Sequence, residues 1–132
     1  MNAKKVIDMA ERRAQRDLKA FLKRCDEAAA AFPLYVLDAD HKVVRAASVI
    51  EWGEFKRDFD ANCRVAHTEV GNRWVSTVFL GTDCSYGFGK VPVVFETMIF
   101  GPNQSDVADR YETWDEAVAG HEAVVRSLTD AA

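Results

Sequence analysis

The stretch that decides the fold is residues 63–80, CRVAHTEVGNRWVSTVFL, in which two strand-like runs flank Gly71-Asn72. A two-residue Gly-Asn loop between such runs is typical of a tight β-hairpin, because glycine takes positive φ without steric cost. Placing Val70 opposite Arg73 fixes the register of the whole hairpin. That register predicts these cross-strand pairs, all on one face of the sheet: Glu69–Trp74, His67–Ser76, Val65–Val78 and Cys63–Leu80.

Other strands are predicted on both sides of this hairpin. Residues 74–80 are apolar on both faces, which predicts a central strand covered on both sides. Apolar runs at 34–37 and 43–44 flank a turn-rich segment, and residues 93–100, VVFETMIF, form another apolar run. Residues 102–109 are interpreted as loop. The sequence therefore predicts an α+β fold with a mainly antiparallel sheet of about five strands.

Two helices in the body are marked by capping boxes. Ser48 with Glu51 predicts a short helix over about 49–59, since in a capping box each side chain binds the other residue's backbone N–H. Thr113 with Glu116 marks the C-terminal helix in the same way. We expect this last helix to pack on one face of the sheet.

A long N-terminal helix is predicted over residues 3–31, where apolar residues recur at spacings of three and four until Pro33. Such a helix is about 43 Å long, whereas a body of about 100 residues is roughly 34 Å across. Its first turns therefore either fray or meet a second chain, which would make a homodimer through this helix. We accordingly divide the chain into an amphipathic basic helix, 1–32, and a single α+β domain, 33–132.

Charge and cysteine content restrict the class of protein. Residues 1–32 carry a net charge of +3 and residues 33–132 carry −7, so a basic helix precedes an acidic body, which argues against nucleic acid as the main partner. The three cysteines form no CxxC pair, which favours reduced thiols in a cytoplasm and no cofactor. There is neither a signal-peptide pattern nor an apolar run of about 18 residues, so no membrane association is expected.

The C-terminal half resembles a family of small proteins encoded mostly by bacteriophages and prophages. The resemblance covers about 33–126 and implies a phage or mobile-element origin, but no activity is established for the family. The family often has histidine after the loop aspartate, where this chain has Cys84, and the long N-terminal helix is not a feature we associate with it. The residues that carry the resemblance are WVSTVFLG at 74–81, Asp83, Phe95-Glu96-Thr97-Met98, Arg110-Tyr111, Thr113-Trp114, Glu116-Ala117 and Gly120-His121.

Four residues are candidates for catalysis: His67, Ser76, Glu96 and His121. The hairpin register places His67 opposite Ser76 with Glu69 nearby, which is the arrangement of a base, a hydroxyl and an orienting carboxylate. Glu96 interrupts an apolar strand, and a buried carboxylate has a raised pKa unless it faces solvent or finds a donor such as Arg110, Tyr111 or His121. The alternative is structural: a cross-strand polar pair, a paired carboxylate, and a core histidine on an apolar helix face.

A metal site is the second chemical hypothesis. His67, Asp83 and Cys84 are residue types that bind zinc, and Glu96 and His121 extend the set. None of them has a ligand spacing such as HExxH or CxxC, so the alternative is that each serves separately.

Binding residues are predicted in two places. Arg12, Arg16 and Lys19 lie on the basic side of the N-terminal helix, where they could touch phosphate or an acidic partner, or simply form a solvated face. Tyr86 and Phe88 lie in the glycine-containing loop 81–90, which has the pattern of a mobile connection and a recognition patch.

Three functions remain open at this point. The leading one is a small non-enzymatic phage or prophage protein in the bacterial cytoplasm that acts by protein–protein binding, with an anti-CRISPR-like inhibitor of host defence as one form. The first alternative is a small hydrolase that uses His67, Glu96 or His121. The second is a nucleic-acid-binding accessory factor that uses the basic helix.

Overall fold

A computed structural model describes residues 3–85 and 89–131. The contacts between residues divide the chain into two units, Met1–Phe32 and Pro33–Ala132. The first unit is helix α1, Ala3–Ala31, which is the N-terminal helix that the apolar spacing predicts.

The second unit is α+β, as predicted, and it contains two antiparallel sheets. The large sheet has the strand order β3-β4-β5-β6, and β1 pairs only with β2. In chain order the elements are β1 Tyr35–Leu37, β2 Val43–Arg45, α2 Val49–Arg57, α3 Phe59–Asn62, β3 Arg64–Val70, β4 Arg73–Phe79, β5 Phe95–Gly101, β6 Gln104–Tyr111 and α4 Trp114–Asp130.

The prediction of one sheet of about five strands is wrong, because β1 meets the large sheet only beyond the end of β4. The N–H of Tyr35 donates to the carbonyl of Gly81 over 2.9 Å, and Leu34 forms an isolated bridge with Thr82. Gly81 has a φ of 77°, which redirects the chain before pairing can extend into a ladder. The β1–β2 hairpin is therefore a separate ribbon.

The interpretation of 102–109 as loop is also wrong, since this segment forms most of β6. The turn into β6 is made by Pro102 and Asn103, and Asn103 has a φ of 60°. Every β6 residue before Tyr111 is exposed, so the strand has no alternation of apolar and polar residues. An edge strand of this kind leaves little pattern in the sequence.

The hairpin register is confirmed near the turn and wrong near the start of β3. Gly71 has a φ of 63°, and both Glu69–Trp74 and His67–Ser76 are paired. Val65 is the extra residue of a β-bulge, so that Arg64 rather than Val65 lies opposite Val78. Cys63 does not face Leu80 in the ladder, because its N–H closes α3 by donating to Phe59 O over 2.8 Å.

Both predicted N-caps are confirmed, but the reciprocal half of each capping box is not, since Glu51 accepts from Ala47 N and Glu116 from Glu112 N, one residue before each cap. The N–H of Glu51 donates to Ser48 Oγ and that of Glu116 donates to Thr113 Oγ1, each over 3.1 Å. The helix predicted over about 49–59 stops at Arg57, because Asp58 begins a new turn by accepting from Ala61 N.

The core lies between one face of the large sheet and α4, which contacts all four strands. Phe79 and Phe95 are fully buried with ring centroids 5.2 Å apart, and Trp114 meets Phe95 edge-on. The prediction that β4 is covered on both sides is wrong, because its residues are buried only at alternate positions. Since strand side chains alternate, α4 covers one face of the sheet and leaves the other accessible.

Close packing between α4 and β6 depends on Gly120. A Cβ atom at this position would collide with the ring of Tyr111, which is buried and donates a hydrogen bond to Thr97. We expect Gly120→Ala to lower the free energy of unfolding by about 1–3 kcal/mol, measured by urea denaturation, because the ring must move.

The matched control is Gly53→Ala in α2, where an added Cβ meets nothing within 4 Å. This change should raise the free energy of unfolding by up to about 1 kcal/mol through helix propensity. Equal effects of the two substitutions would contradict the packing argument.

Candidate functional site

The face of the large sheet opposite α4 is the candidate site, and it is called the open face below. Its residues lie directly opposite one another across the four strands and form three rows of four. The rows are Glu69, Trp74, Phe100 and Ser105; then His67, Ser76, Met98 and Val107; then Arg64, Val78, Glu96 and Arg110.

The open face carries an apolar patch that reaches solvent. Trp74 and Phe100 stack with ring centroids 5.5 Å apart and an interplanar angle of 18°. Trp74 is 39% exposed and Val107 is 47% exposed, while Met98 and Val78 are partly buried beside them. Aromatic and methionine side chains in such a patch are enriched where proteins bind one another.

One edge of the open face is held by an ion pair. Arg110 Nε lies 3.0 Å from Glu96 Oε2, and the Glu96 side chain is only 12% exposed. The carboxylate that interrupts the apolar strand β5 therefore finds its donor on the neighbouring strand β6. This is the structural alternative described for Glu96, and an ion pair near the surface contributes at most about 1 kcal/mol to stability.

His67 and Ser76 lie side by side in the middle row, as the register predicts, with Glu69 in the adjacent row. Within the described residues no hydrogen bond joins the side chains of His67 and Ser76. A general base that activates a hydroxyl works at about 2.6–3.2 Å from it. The structure thus brings three candidate polar residues onto one accessible surface without assembling them into a bonded triad.

His121 lies on the other side of the sheet, so the four candidate catalytic residues do not converge. It is 4% exposed, and its ring stands between two threonine hydroxyls of the sheet. Thr77 Oγ1 is 2.7 Å from His121 Nδ1, and Thr68 Oγ1 is 2.9 Å from Nε2. This is the core histidine of the structural alternative, with both ring nitrogens bonded.

The bonds to His121 belong to a longer buried chain of hydroxyl groups. Tyr111 donates to Thr97 over 3.0 Å, and Thr97 Oγ1 lies 2.6 Å from Thr77 Oγ1. The chain is complete when Thr97 donates to Thr77, Thr77 donates to His121 Nδ1, and the Nε2–H donates to Thr68. No buried side-chain nitrogen or oxygen among the described residues lacks a partner.

Burial lowers the pKa of His121, and the nearby His67 lowers it further, while Glu122 opposes the shift. Protonation would also place a donor on both ring nitrogens and force Thr77 to accept instead of donate. The network is therefore built around a neutral imidazole.

The residues predicted as metal ligands do not lie together. Within 3–85 and 89–131, no three His, Cys, Asp or Glu side chains lie close enough together to hold a metal ion. Burial tends to raise the pKa of Asp83, but hydrogen bonds from Ser85 and Val93 outweigh it and lower the pKa. Those bonds, each 2.8–2.9 Å, connect Asp83 to both Ser85 and Val93. Burial raises the pKa of the Cys84 thiol, which disfavours a thiolate ligand.

The predicted binding residues fall outside the open face. Arg12, Arg16 and Lys19 are exposed on α1. Tyr86 and Phe88 lie outside the described residues.

Sequence reasoning missed the most exposed part of the site. Trp74 was placed opposite Glu69, but its partner Phe100 and its neighbour Val107 depend on the pairing of β5 with β6. Because β6 was not predicted as a strand, the position of Val107 beside the other apolar residues of the open face was not predicted either. The sequence held a signal for this patch, because Trp74 and Val78 on β4 and Met98 and Phe100 on β5 are apolar residues at alternate positions that do not face the core.

Comparisons with family models, with curated proteins and with solved structures find no match for this chain. None of the helices in the described ranges combines the length and the apolar character that crossing a membrane requires.

The lowered pKa of His121 predicts a pH dependence of stability. Unfolded chains bind a proton at His121 as the pH falls through about 6.5, whereas the folded chain resists it. The free energy of unfolding should therefore be highest above pH 6.5 and fall below it, by up to about 1.4 kcal/mol per pH unit. Urea denaturation between pH 7.5 and 5 measures this and stays above the range where Asp83 titrates.

His121→Gln should flatten that slope, whatever it does to absolute stability, and His67→Gln on the exposed strand should retain most of it. The account of the buried network fails if the slope between pH 6.5 and 5 is the same in the wild-type protein and in His121→Gln.

Proposed function

We propose that this chain is a non-enzymatic protein that acts by binding another protein through the open face. The observation that carries the proposal is the stacked pair Trp74–Phe100, in which Trp74 is 39% exposed, beside Met98 and Val107 on the open face. Exposed apolar patches rimmed by polar residues mark interaction sites, and Trp is one of the residue types enriched among those that contribute most to binding.

The dimensions of the open face favour an extended element of the partner over a broad protein surface. Four strands about 4.8 Å apart and three rows about 7 Å apart give an area of roughly 400 Å². A standard interface buries about 800 Å² on each partner, which is twice as much. A single amphipathic helix, about 10 Å wide, fits such a surface. Helix α4 already covers the other face of the same four strands in this way.

The rim of the open face can orient such a helix. Arg64 and Arg110 lie in the third row, where Arg110 is paired with Glu96 and Arg64 with Asp60, and Glu69 lies in the first row. Charged groups of both signs therefore border the apolar residues, and complementary groups on a partner helix would align it, because opposite charges steer and align associating surfaces.

The resemblance to phage-encoded proteins supports a bacterial protein as the partner. We propose that the chain acts in the cytoplasm of a bacterial host, and that an inhibitor of a host defence system is one concrete form of this function. The acidic body supports protein over nucleic acid as the main partner, since phosphate groups require clustered positive charge.

Trp74→Lys tests the proposal. We expect affinity capture from a lysate of the bacterial host to retain a defined protein on the wild-type chain and to lose it at least about tenfold on Trp74→Lys, because Trp at an interface centre contributes 2 kcal/mol or more. The complex should then be reconstituted from purified components and its dissociation constant measured.

The matched control is Ile50→Lys, an apolar-to-basic change at a half-exposed position of α2 away from the open face. It should retain the same protein with affinity close to that of the wild-type chain. Circular dichroism checks that both variants are folded. A partner that binds Trp74→Lys as tightly as the wild-type chain would overturn the proposed site.

A further inference from the structure

Helix α1 carries a seam of residues at the alternating three- and four-residue spacing of a coiled coil. Within the described side chains the seam positions are Glu11, Ala14, Leu18, Phe21 and Cys25. Leu18 is 58% exposed and Phe21 is 54% exposed. In a heptad written abcdefg these positions alternate between a and d, which are the positions that face a partner helix.

We propose that α1 pairs with α1 of a second copy of this chain as an antiparallel two-stranded coiled coil. Most of the stability of an amphipathic helix in water comes from burying its apolar stripe against another element. A second copy supplies a stripe of the same length and spacing, and a two-fold axis makes the contact self-complementary.

The orientation follows from the charge in the seam. In a parallel pair each a position faces itself, so Glu11 would lie against Glu11 of the second copy, which is unfavourable for like charges. An antiparallel pair centred between residues 19 and 20 separates the two Glu11 side chains by most of the helix. It places Leu18 against Phe21 of the second copy, and Ala14 against Cys25 of the second copy.

Charges beside the seam agree with the same orientation. Asp17 and Arg24 both occupy g positions, which flank the apolar contact. In the antiparallel register Asp17 lies opposite Arg24 of the second copy, and two-fold symmetry makes this ion pair twice. In a parallel pair Asp17 would instead face Leu22, an e position.

Sedimentation equilibrium of the full chain tests the pairing. We expect a concentration-dependent dimer whose dissociation constant rises by about a hundredfold in Leu18→Glu, because a large apolar side chain at the interface is replaced by a charge. Met9→Glu is the matched control, since Met9 is 59% exposed and occupies an f position away from the seam. A monomer at every concentration, or equal weakening by both substitutions, would overturn the proposal.

A charge exchange tests the orientation. Asp17→Arg alone should weaken the dimer several-fold by placing like charges opposite each other. Adding Arg24→Asp should restore the wild-type dissociation constant, since the pair is then re-formed with its signs reversed. If the double variant is weaker than Asp17→Arg, the antiparallel arrangement is wrong. Trp74 lies in the other unit, so this experiment and the open-face experiment fail independently.

Discussion

The arrangement of the second unit depends on the hydrogen bonds that hold His121 between Thr77 and Thr68. A buried polar side chain without partners is costly, so α4 can lie on the sheet only where both ring nitrogens are satisfied. The hydroxyls that meet this requirement point to one face of β3 and β4. These bonds act together with the burial of Val75, Phe79 and Phe95, so α4 covers this face of the sheet and leaves the other face free.

That consequence explains why an aromatic pair lies at the surface. Side chains alternate along each strand, so the positions between the buried Val75, Thr77 and Phe79 must point away from α4. These positions hold Trp74, Ser76 and Val78, and the pairing with β5 brings Phe100 and Met98 beside them. These residues form the apolar part of the open face on which the proposed binding site rests.

Much of the local structure could be predicted from the sequence, because each feature had a short-range cause. The Gly71-Asn72 turn, the Ser48 and Thr113 caps and helix α1 rest on residues adjacent in the chain. The features that escaped prediction depend on distant residues. The bulge at Val65 and the edge strand β6 follow from pairing that periodicity does not encode. The four-plus-two division of the strands follows from the turn at Gly81.

Part of the candidate site was also predictable from the sequence, and part was not. The pairing of His67 with Ser76 was predictable, since it follows from the register of one hairpin. The separation of His121 from both was not, because it depends on which face of the sheet α4 covers. The sequence also gives no sign that three strand threonines form a hydrogen-bonded network, since threonine is common in strands for its shape alone. These are Thr68, Thr77 and Thr97. Their role became visible only when three strands and a helix brought their hydroxyls together.

Hydroxyl-radical footprinting of the full chain tests the central claim most directly, because it reports the solvent accessibility of each side chain. The account predicts modification of the exposed Trp74 and of the partly buried Phe100 and Met98, and protection of Phe79 and Phe95 that is lost on unfolding in urea. Equal protection of Trp74 and Phe79 in the folded chain would show that the second face of the sheet is covered, and it would contradict the account.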